Sequence, residues 1–404
     1  MNNDTVFRRP ISPTERMYFP MRELAPPFLM QVAISGVGTI EPDELRRAID
    51  VAAGVTPGAR LIRRGRVWVD GRIAPAVRVV DGHTIRYPDL EADPVLTSPI
   101  GPTPEATAEV LLLTAEPTTL VLRVFHGVMD GMGVSLWMTN LFRALRGEEP
   151  IAQPDAVADV ELVRRVGAPG RPALMVPKYR AAVGYGRQMP GAHRHLLRQR
   201  TIHATGASAV AKVAAILAAQ TPGTSRIMMP VDLRRHTPEL RSTANLALPL
   251  FLDVEPGQDW TQVKEQIKTG LRERRELNQM AAAKLTSIPD SANRALLRAL
   301  NRLGSRYGRN LASATVSYMG RFDLEDLTVP GFRPTSVQVL PQHSVAMPLL
   351  FGMMESGGRI ELGVSARNGD GVEDRLEALL DRIVSTLEQQ SPVTPGGHGT
   401  DHAR

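Results

Sequence analysis

The strongest constraint on how this chain can fold lies at residues 118–147, TTLVLRVFHGVMDGMGVSLWMTNLFRALRG. Leu120, Leu122, Val124 and His126 share one face of an extended run, with Val121 and Phe125 on the other. Between residues 120 and 125 the one polar member is Arg123. A run apolar on both faces predicts a strand in the middle of a sheet. Beyond it, Val134, Trp137, Met138, Leu141 and Leu145 recur at helical spacing, and Gly147 supplies the stop. A buried strand, a tight loop and an amphipathic helix in succession call for stacked sheet and helix layers, an α/β (α+β) chain. His126 falls at the strand end, where rigid elements can hold a general base. Taken alone, HGVMDG could equally be a strand-capping histidine followed by an ordinary Asp130-Gly131 turn.

The surrounding segments form two halves and a crossover. Residues 1–160 form an N-terminal lobe. In it, PPFLMQVAISG reads as a strand and IEPDELRRAIDVAAG as a helix opened by Pro42, with Gly54 able to stop it. ARLIRRGRVWVDG and PAVRVVDGHTIRY each carry an Asp-Gly hairpin signal. AEVLLLTAEPTTLVLRVFH reads as two strands around a tight Glu-Pro turn. Residues 161–200 form a crossover broken by Pro and Gly, with nine basic residues against one acid, Glu161. Residues 201–390 form a second lobe that again alternates helices and strands, from GASAVAKVAAILAAQ to VEDRLEALLDRIVSTLEQQ. Residues 391–404 are expected to be a disordered tail.

Composition removes several classes of function. The chain has 404 residues, enough for two lobes, and no cysteine, so no disulfide, thiolate metal site or cysteine nucleophile. No metal site is expected. The beginning, MNNDTVFRRPISP, lacks an apolar stretch of signal-peptide type, and no run approaches the ~18–20 apolar residues that span a bilayer. A cytoplasmic protein is expected. The net charge of +6 could suggest a nucleic-acid partner, but only five of the 48 basic residues are lysine. That arginine skew, with abundant Ala, Gly and Pro, fits a compositional bias, and no nucleic acid is expected as partner. Phosphate-loop, Gly-x-Ser-x-Gly and His-Glu-x-x-His motifs are absent. His193 and His195 flank Arg194 in a loop-like stretch with no carboxylate nearby and read as surface residues. Arg294, Arg298, Arg302 and Arg306 recur every four residues on one helix with leucines around it, which leaves peripheral membrane contact open.

Five segments, in order, resemble the superfamily of acyltransferases that carry HxxxDG: condensation domains of nonribosomal peptide synthetases, polyketide-associated acyltransferases, chloramphenicol acetyltransferase and plant alcohol acyltransferases. RPISPTERMYF is similar to the family's opening segment, and FHGVMDGMGVSLWMTNLFRAL to its motif and helix. MMPVDLRRHTPELRSTANLALPLFLDVEPGQDW resembles the second-lobe strand, loop and following strand. ATVSYMGRFD is similar to an S-N-x-G strand, and IELGVSARNGD to a late strand. The resemblance implies two chloramphenicol-acetyltransferase-like lobes, each a mixed β-sheet with helices, around a central tunnel that donor and acceptor enter from opposite faces.

The resemblance also implies roles. His126 would be the general base, taking the proton of a hydroxyl or amine acceptor as it attacks an acyl thioester. Asp130 would point away from substrate and pair with an arginine, Arg234 or alternatively Arg235, to hold the loop. Gly131 would let the backbone turn closely and present its N–H near the tunnel. Ser317 would line the tunnel and help the oxyanion, while Tyr318 stands where many relatives have asparagine. No bound cofactor is implied. The donor would be acyl-CoA or an acyl-phosphopantetheine on a carrier protein, and the basic crossover could meet the phosphates or an acidic carrier. The expected function is acyl transfer in lipid or secondary-metabolite biosynthesis. The rival is a catalytically inactive condensation-like module that recruits a carrier protein or partner.

Overall fold

The computed structural model describes residues 6–87, 90–101, 105–287, 289–345 and 347–389. The tail 391–404 expected to be disordered lies outside them. Two mixed sheets organise the molecule. The first has five strands in the order Phe332–Val339, Leu29–Gly38, Thr118–Phe125, Ala108–Leu113, Ala76–Val80. Thr118–Phe125 is central and buried along its whole length, as a run apolar on both faces requires. It pairs antiparallel with both neighbours, whereas Ala76–Val80 runs parallel to Ala108–Leu113. The Asp81-Gly82 turn therefore does not close a hairpin: residues after it leave the sheet, and His83 instead bonds Asp93 at 3.0 Å.

The second sheet has six strands in the order Ala247–Val254, Ser225–Asp232, Ala314–Phe322, Leu349–Ser356, Arg359–Arg367, His195–Ile202. A small third sheet pairs Arg8–Pro10 with the hairpin Leu61–Arg64 and Val67–Asp70.

Each large sheet packs helices on one face. In the first lobe, Ile34, Val110, Leu122 and Val124 meet Leu45 and Ile49 of the helix Pro42–Val55. The same face meets Val134, Trp137, Met138 and Leu141 of the helix Gly131–Leu145. Gly147, at φ +71°, ends that helix in the left-handed conformation a C′ glycine adopts. In the second lobe, Ile227, Val316, Phe351 and Leu362 pack on Ala209–Ala219 and Val372–Gln389 through Val213, Leu217, Leu376, Leu380 and Ile383.

Two elements cross the halves of the sequence. Phe332–Val339 follows most of the second lobe in the chain, yet it pairs with Leu29–Gly38 at the edge of the first sheet. His195–Ile202 lies in the stretch read as crossover and forms the edge of the second sheet. The basic character of that stretch is partly neutralised. Arg198, 4% exposed, reaches Glu91, Glu373 and Glu377, and Arg200 also bonds Glu377. On the arginine-rich helix Asp290–Tyr307, Leu297 is buried against Ala25 and Val345, and Arg294 pairs with Glu23 at 2.8 Å. No helix among the described residues is long and apolar enough to cross a membrane.

Candidate active site

The HGVMDG loop is fixed from both lobes. His126 follows the last residue of the central strand, and its Nδ1 lies 3.1 Å from the Met129 carbonyl oxygen. A carbonyl can only accept, so in the neutral ring Nδ1 carries the proton and Nε2 keeps its lone pair. Tyr18, from the helix Pro13–Leu24, stacks on the imidazole with ring centroids 4.6 Å apart and 16° between planes. Phe28 stands behind, 6.1 Å from the imidazole and 5.6 Å from Tyr18. Burial lowers the His126 pKa below the ordinary histidine value, against the opposing pull of the Met129 carbonyl and of Asp130. Burial also pushes the Tyr18 hydroxyl up to about 12, with Asn245 opposing.

Backbone contacts hold the loop's path. Arg9 Nη2 donates to the Val128 carbonyl at 2.8 Å, and Asn245 Nδ2 donates to the His126 carbonyl at 2.8 Å. Arg9 is itself anchored on Glu15 at 2.5 Å, whose other oxygen accepts from Ser12 N and Trp68 Nε1. Burial pushes the Glu15 carboxyl up to about 7, with Arg9 pulling the other way.

Asp130 is the N-cap of the helix Gly131–Leu145. Its Oδ1 accepts from Gly133 N at 2.7 Å, and its Oδ2 accepts from Leu246 N at 2.7 Å and Arg234 Nη1 at 3.0 Å. Arg234 is fixed in turn by the Ser242 and Ala244 carbonyls and by Asp232. Arg235 points elsewhere, toward the Leu271 carbonyl and Glu276. Engaged by three donors, the Asp130 carboxylate ties the loop to the second lobe.

A Cβ on Gly131 would meet the Met319 side chain, with Cε at 2.6 Å. The tighter approach is at Gly133, where a Cβ would stand 2.3 Å from the Thr243 carbonyl oxygen. Met319 lies on Ala314–Phe322, two residues beyond half-buried Ser317, so the two share a strand face turned toward Gly131. Tyr318 takes the other face. Its hydroxyl donates to Glu355 at 2.8 Å, its ring sits on Gly206, and burial with the Glu355 carboxylate holds its pKa above the usual tyrosine value.

Tyr18, Asn245, Arg9 and Gly133 were not singled out from the sequence. For Tyr18 and Arg9 a signal existed in the RPISPTERMYF segment, whose Ser12 and Glu15 form a capping box that starts a helix. His195 corrects the reading of a surface histidine: it begins a strand, is half-buried, and stacks on His343 with ring centroids 3.0 Å apart. His193 is exposed.

The fold and the loop define a class. Two mixed-sheet lobes of chloramphenicol-acetyltransferase type, joined through a His-x-x-x-Asp-Gly loop, make this a chain of the condensation-domain fold. The solved structures it resembles bear this out. The condensation domain of the monacolin K polyketide synthase MokA matches with a TM-score of 0.63 at 14% identity, over 96% of this chain and 98% of that one. A starter condensation domain of the rhizomide synthetase RzmA, a mutant in complex with C8-CoA and Leu-SNAC, matches with a TM-score of 0.61 at 16% identity, over 95% of each. Polyketide synthase associated protein 5 from Mycobacterium tuberculosis matches with a TM-score of 0.59 at 15% identity, over 97% and 100%. No family model matches the sequence, and no curated protein matches it.

Proposed function

We propose that this chain is an acyltransferase that moves an acyl group from a CoA or carrier-protein thioester to a hydroxyl or amine, with His126 as general base. The observation that carries the reading is the state of the imidazole: Nδ1 is committed to the Met129 carbonyl, Tyr18 covers one ring face, and Nε2 keeps its lone pair. A thioester is already activated, so the chemistry asks chiefly for removal of the acceptor's proton as its O or N attacks the carbonyl carbon. The thiolate then leaves and takes up a proton. A histidine held neutral is suited to that task, and general-base help is worth about 10²–10⁴ in rate.

Asp130 and Arg234 hold the loop, Gly131 brings backbone close to substrate, and Ser317, on the strand face it shares with Met319, supplies the hydroxyl for the oxyanion. Tyr318, turned to the opposite strand face with its hydroxyl engaged by Glu355, is assigned no substrate contact. The C8-CoA and Leu-SNAC ligands of the RzmA domain support a thioester donor and a small acceptor here, in natural-product biosynthesis.

The test is intact-mass and free-thiol detection with acyl-CoAs and acyl-carrier proteins against alcohols and amines. Transfer should fall about 10²–10⁴-fold in His126→Ala, with circular dichroism unchanged. Undiminished transfer in that variant sinks the base assignment. A carrier protein that binds the wild type while no donor turns over would favour a recruiting module that does no chemistry.

A further inference from the structure

A second cluster of unused polar groups lies one aromatic ring away from His126. A cavity of about 150 Å³ opens between the segment Ala25–Leu29, the loop residues Leu90 and Glu91, the start of the strand His195–Ile202, and Leu340–His343. Phe28 joins it to the reaction centre, lining the cavity while its ring stands 6.1 Å from the His126 imidazole. Phe28 also holds φ at +47°, a conformation that bulky residues rarely adopt and that clusters at ligand sites.

The cavity's polar lining is unsatisfied and its surroundings are cationic. His195 and His343 stack face to face, and His195 Nδ1 and His343 Nε2 are buried with no hydrogen-bond partner among the described residues. The Gln342 carboxamide oxygen is likewise buried and unpartnered, and a half-turn of that amide would present N–H instead. Burial first, and then the Arg367 charge, lower the pKa of both rings, with Arg194 adding to the effect on His195. Arg367 bonds Asn310, Asn301 and the Val345 carbonyl, and has no carboxylate partner among the described residues. Glu91 is the acid in the lining, and it is engaged by Arg198 and by Leu197 N. Unpartnered ring nitrogens that can carry a proton, beside an arginine with no carboxylate partner among the described residues, suit an anion.

We infer that this cavity binds a carboxylate of one of the substrates, held by the His195 and His343 imidazoles in the field of Arg194 and Arg367, with the apolar part of that substrate running past Phe28 toward His126. The inference deepens the acyl-transfer reading and rests on it only for what the carboxylate is attached to. That carboxylate could belong to the acceptor, as in an amino or hydroxy acid, or to the far end of a dicarboxylic acyl donor.

The site itself is tested without turnover. The full chain, ¹⁵N-labelled at histidine, is titrated with hexanoate and with hexanamide while the imidazole nitrogens are followed by long-range ¹H–¹⁵N correlation. Hexanoate should move the His195 and His343 resonances, bind at least about tenfold more tightly than the amide, and lose that preference in His343→Gln and in His195→Gln. His126→Ala should keep it. Equal response to acid and amide, no response to either, or a preference that survives both glutamine variants overturns the proposal. The source is then read by calorimetry from two matched pairs, leucine against leucinamide and succinyl-CoA against butanoyl-CoA. Carboxylate preference in one pair names the source, and preference in neither overturns the substrate assignment. Carboxylate binding without transfer to any acceptor would leave the site standing and remove the acyltransferase reading.

Discussion

At the residue scale, the proposed role of His126 as a base rests on what surrounds the ring rather than on a charged partner. Its proton is fixed on Nδ1 by the Met129 carbonyl, and Tyr18 keeps water off one face. Because burial sets the folded pKa of His126 below 6.5, the acid limb of the pH–rate profile should lie below that value. Tyr18→Phe should keep that limb, since the ring stays, whereas Tyr18→Leu should move it upward and lower kcat. A limb that does not move in Tyr18→Leu would show that the stacking does not set the histidine's basicity. Asp130 acts by a different route. Asp130→Asn leaves Arg234 buried with Asp232 as its remaining acid and weakens the bond to Leu246 N, and should cost about 3 kcal/mol in urea unfolding. The stacked histidines add a pH dependence of their own. The folded pKa of His195 is lowered to about 3, so the unfolded chain takes up protons first as pH falls below 6.5. That contribution to stability is full above pH 6.5 and should be lost progressively toward pH 3, and His195→Phe should flatten this part of a stability–pH curve.

At the scale of elements, two glycines with the same lack of side chain should respond in opposite ways. Gly133 lies in the first turn of its helix against the Thr243 carbonyl, with 2.3 Å to a prospective Cβ. Gly133→Ala should therefore force the lobes apart locally, at about 1–3 kcal/mol, and slow transfer. Gly54 sits inside the helix Pro42–Val55 with nothing within 4 Å of a prospective Cβ, and Gly54→Ala should stabilise by about 0.5–1 kcal/mol. Thermal unfolding of the two variants side by side checks the pair. The same glycines mark what periodicity can and cannot convey. The helix Gly131–Leu145 and the strand before it were legible because burial on one stripe or on both faces leaves a periodic trace. Gly54 was expected to stop its helix, and the helix runs one residue past it, because a glycine inside a pattern weakens a helix without ending it. Asp81-Gly82 had the letters of a hairpin turn, but Ala76–Val80 found its partner in a parallel neighbour far along the chain, which no local signal encodes. The contacts of Tyr18 and Asn245 could not be read for a related reason: each reaches His126 across a large sequence separation, although the capping-box segment did mark the helix that carries Tyr18.

At the scale of the whole molecule, the candidate site exists only where the lobes meet. His126 and Asp130 come from one lobe, while Arg234, Asn245, Leu246 and Met319 come from the other. A fragment ending near residue 200 would keep the motif but lose every one of those contacts, and it would also lose the strand Phe332–Val339 that covers Leu29–Gly38. Such a fragment should exchange the amides of Leu29–Gly38 rapidly and self-associate through that bare edge, and hydrogen exchange with size-exclusion chromatography checks both. A protected, monomeric fragment would mean that the first sheet is complete without its borrowed strand.

That borrowed strand has a mechanical consequence. The polypeptide passes between the lobes at 150–195, again at 323–331, and a third time at 340–348, so the second lobe is tied to the first by a thread that leaves, seats itself in the other sheet, and returns. A joint with one tether can swing open like a jaw. A joint whose middle tether is hydrogen-bonded along its length behaves more like an axle. The lobes can twist about Phe332–Val339, but they cannot draw apart without first peeling that strand from Leu29–Gly38, backbone bond by backbone bond. On the proposed acyl-transfer reading, substrates should enter from the ends of the seam, and rotation rather than opening should set the width of the passage past Phe28.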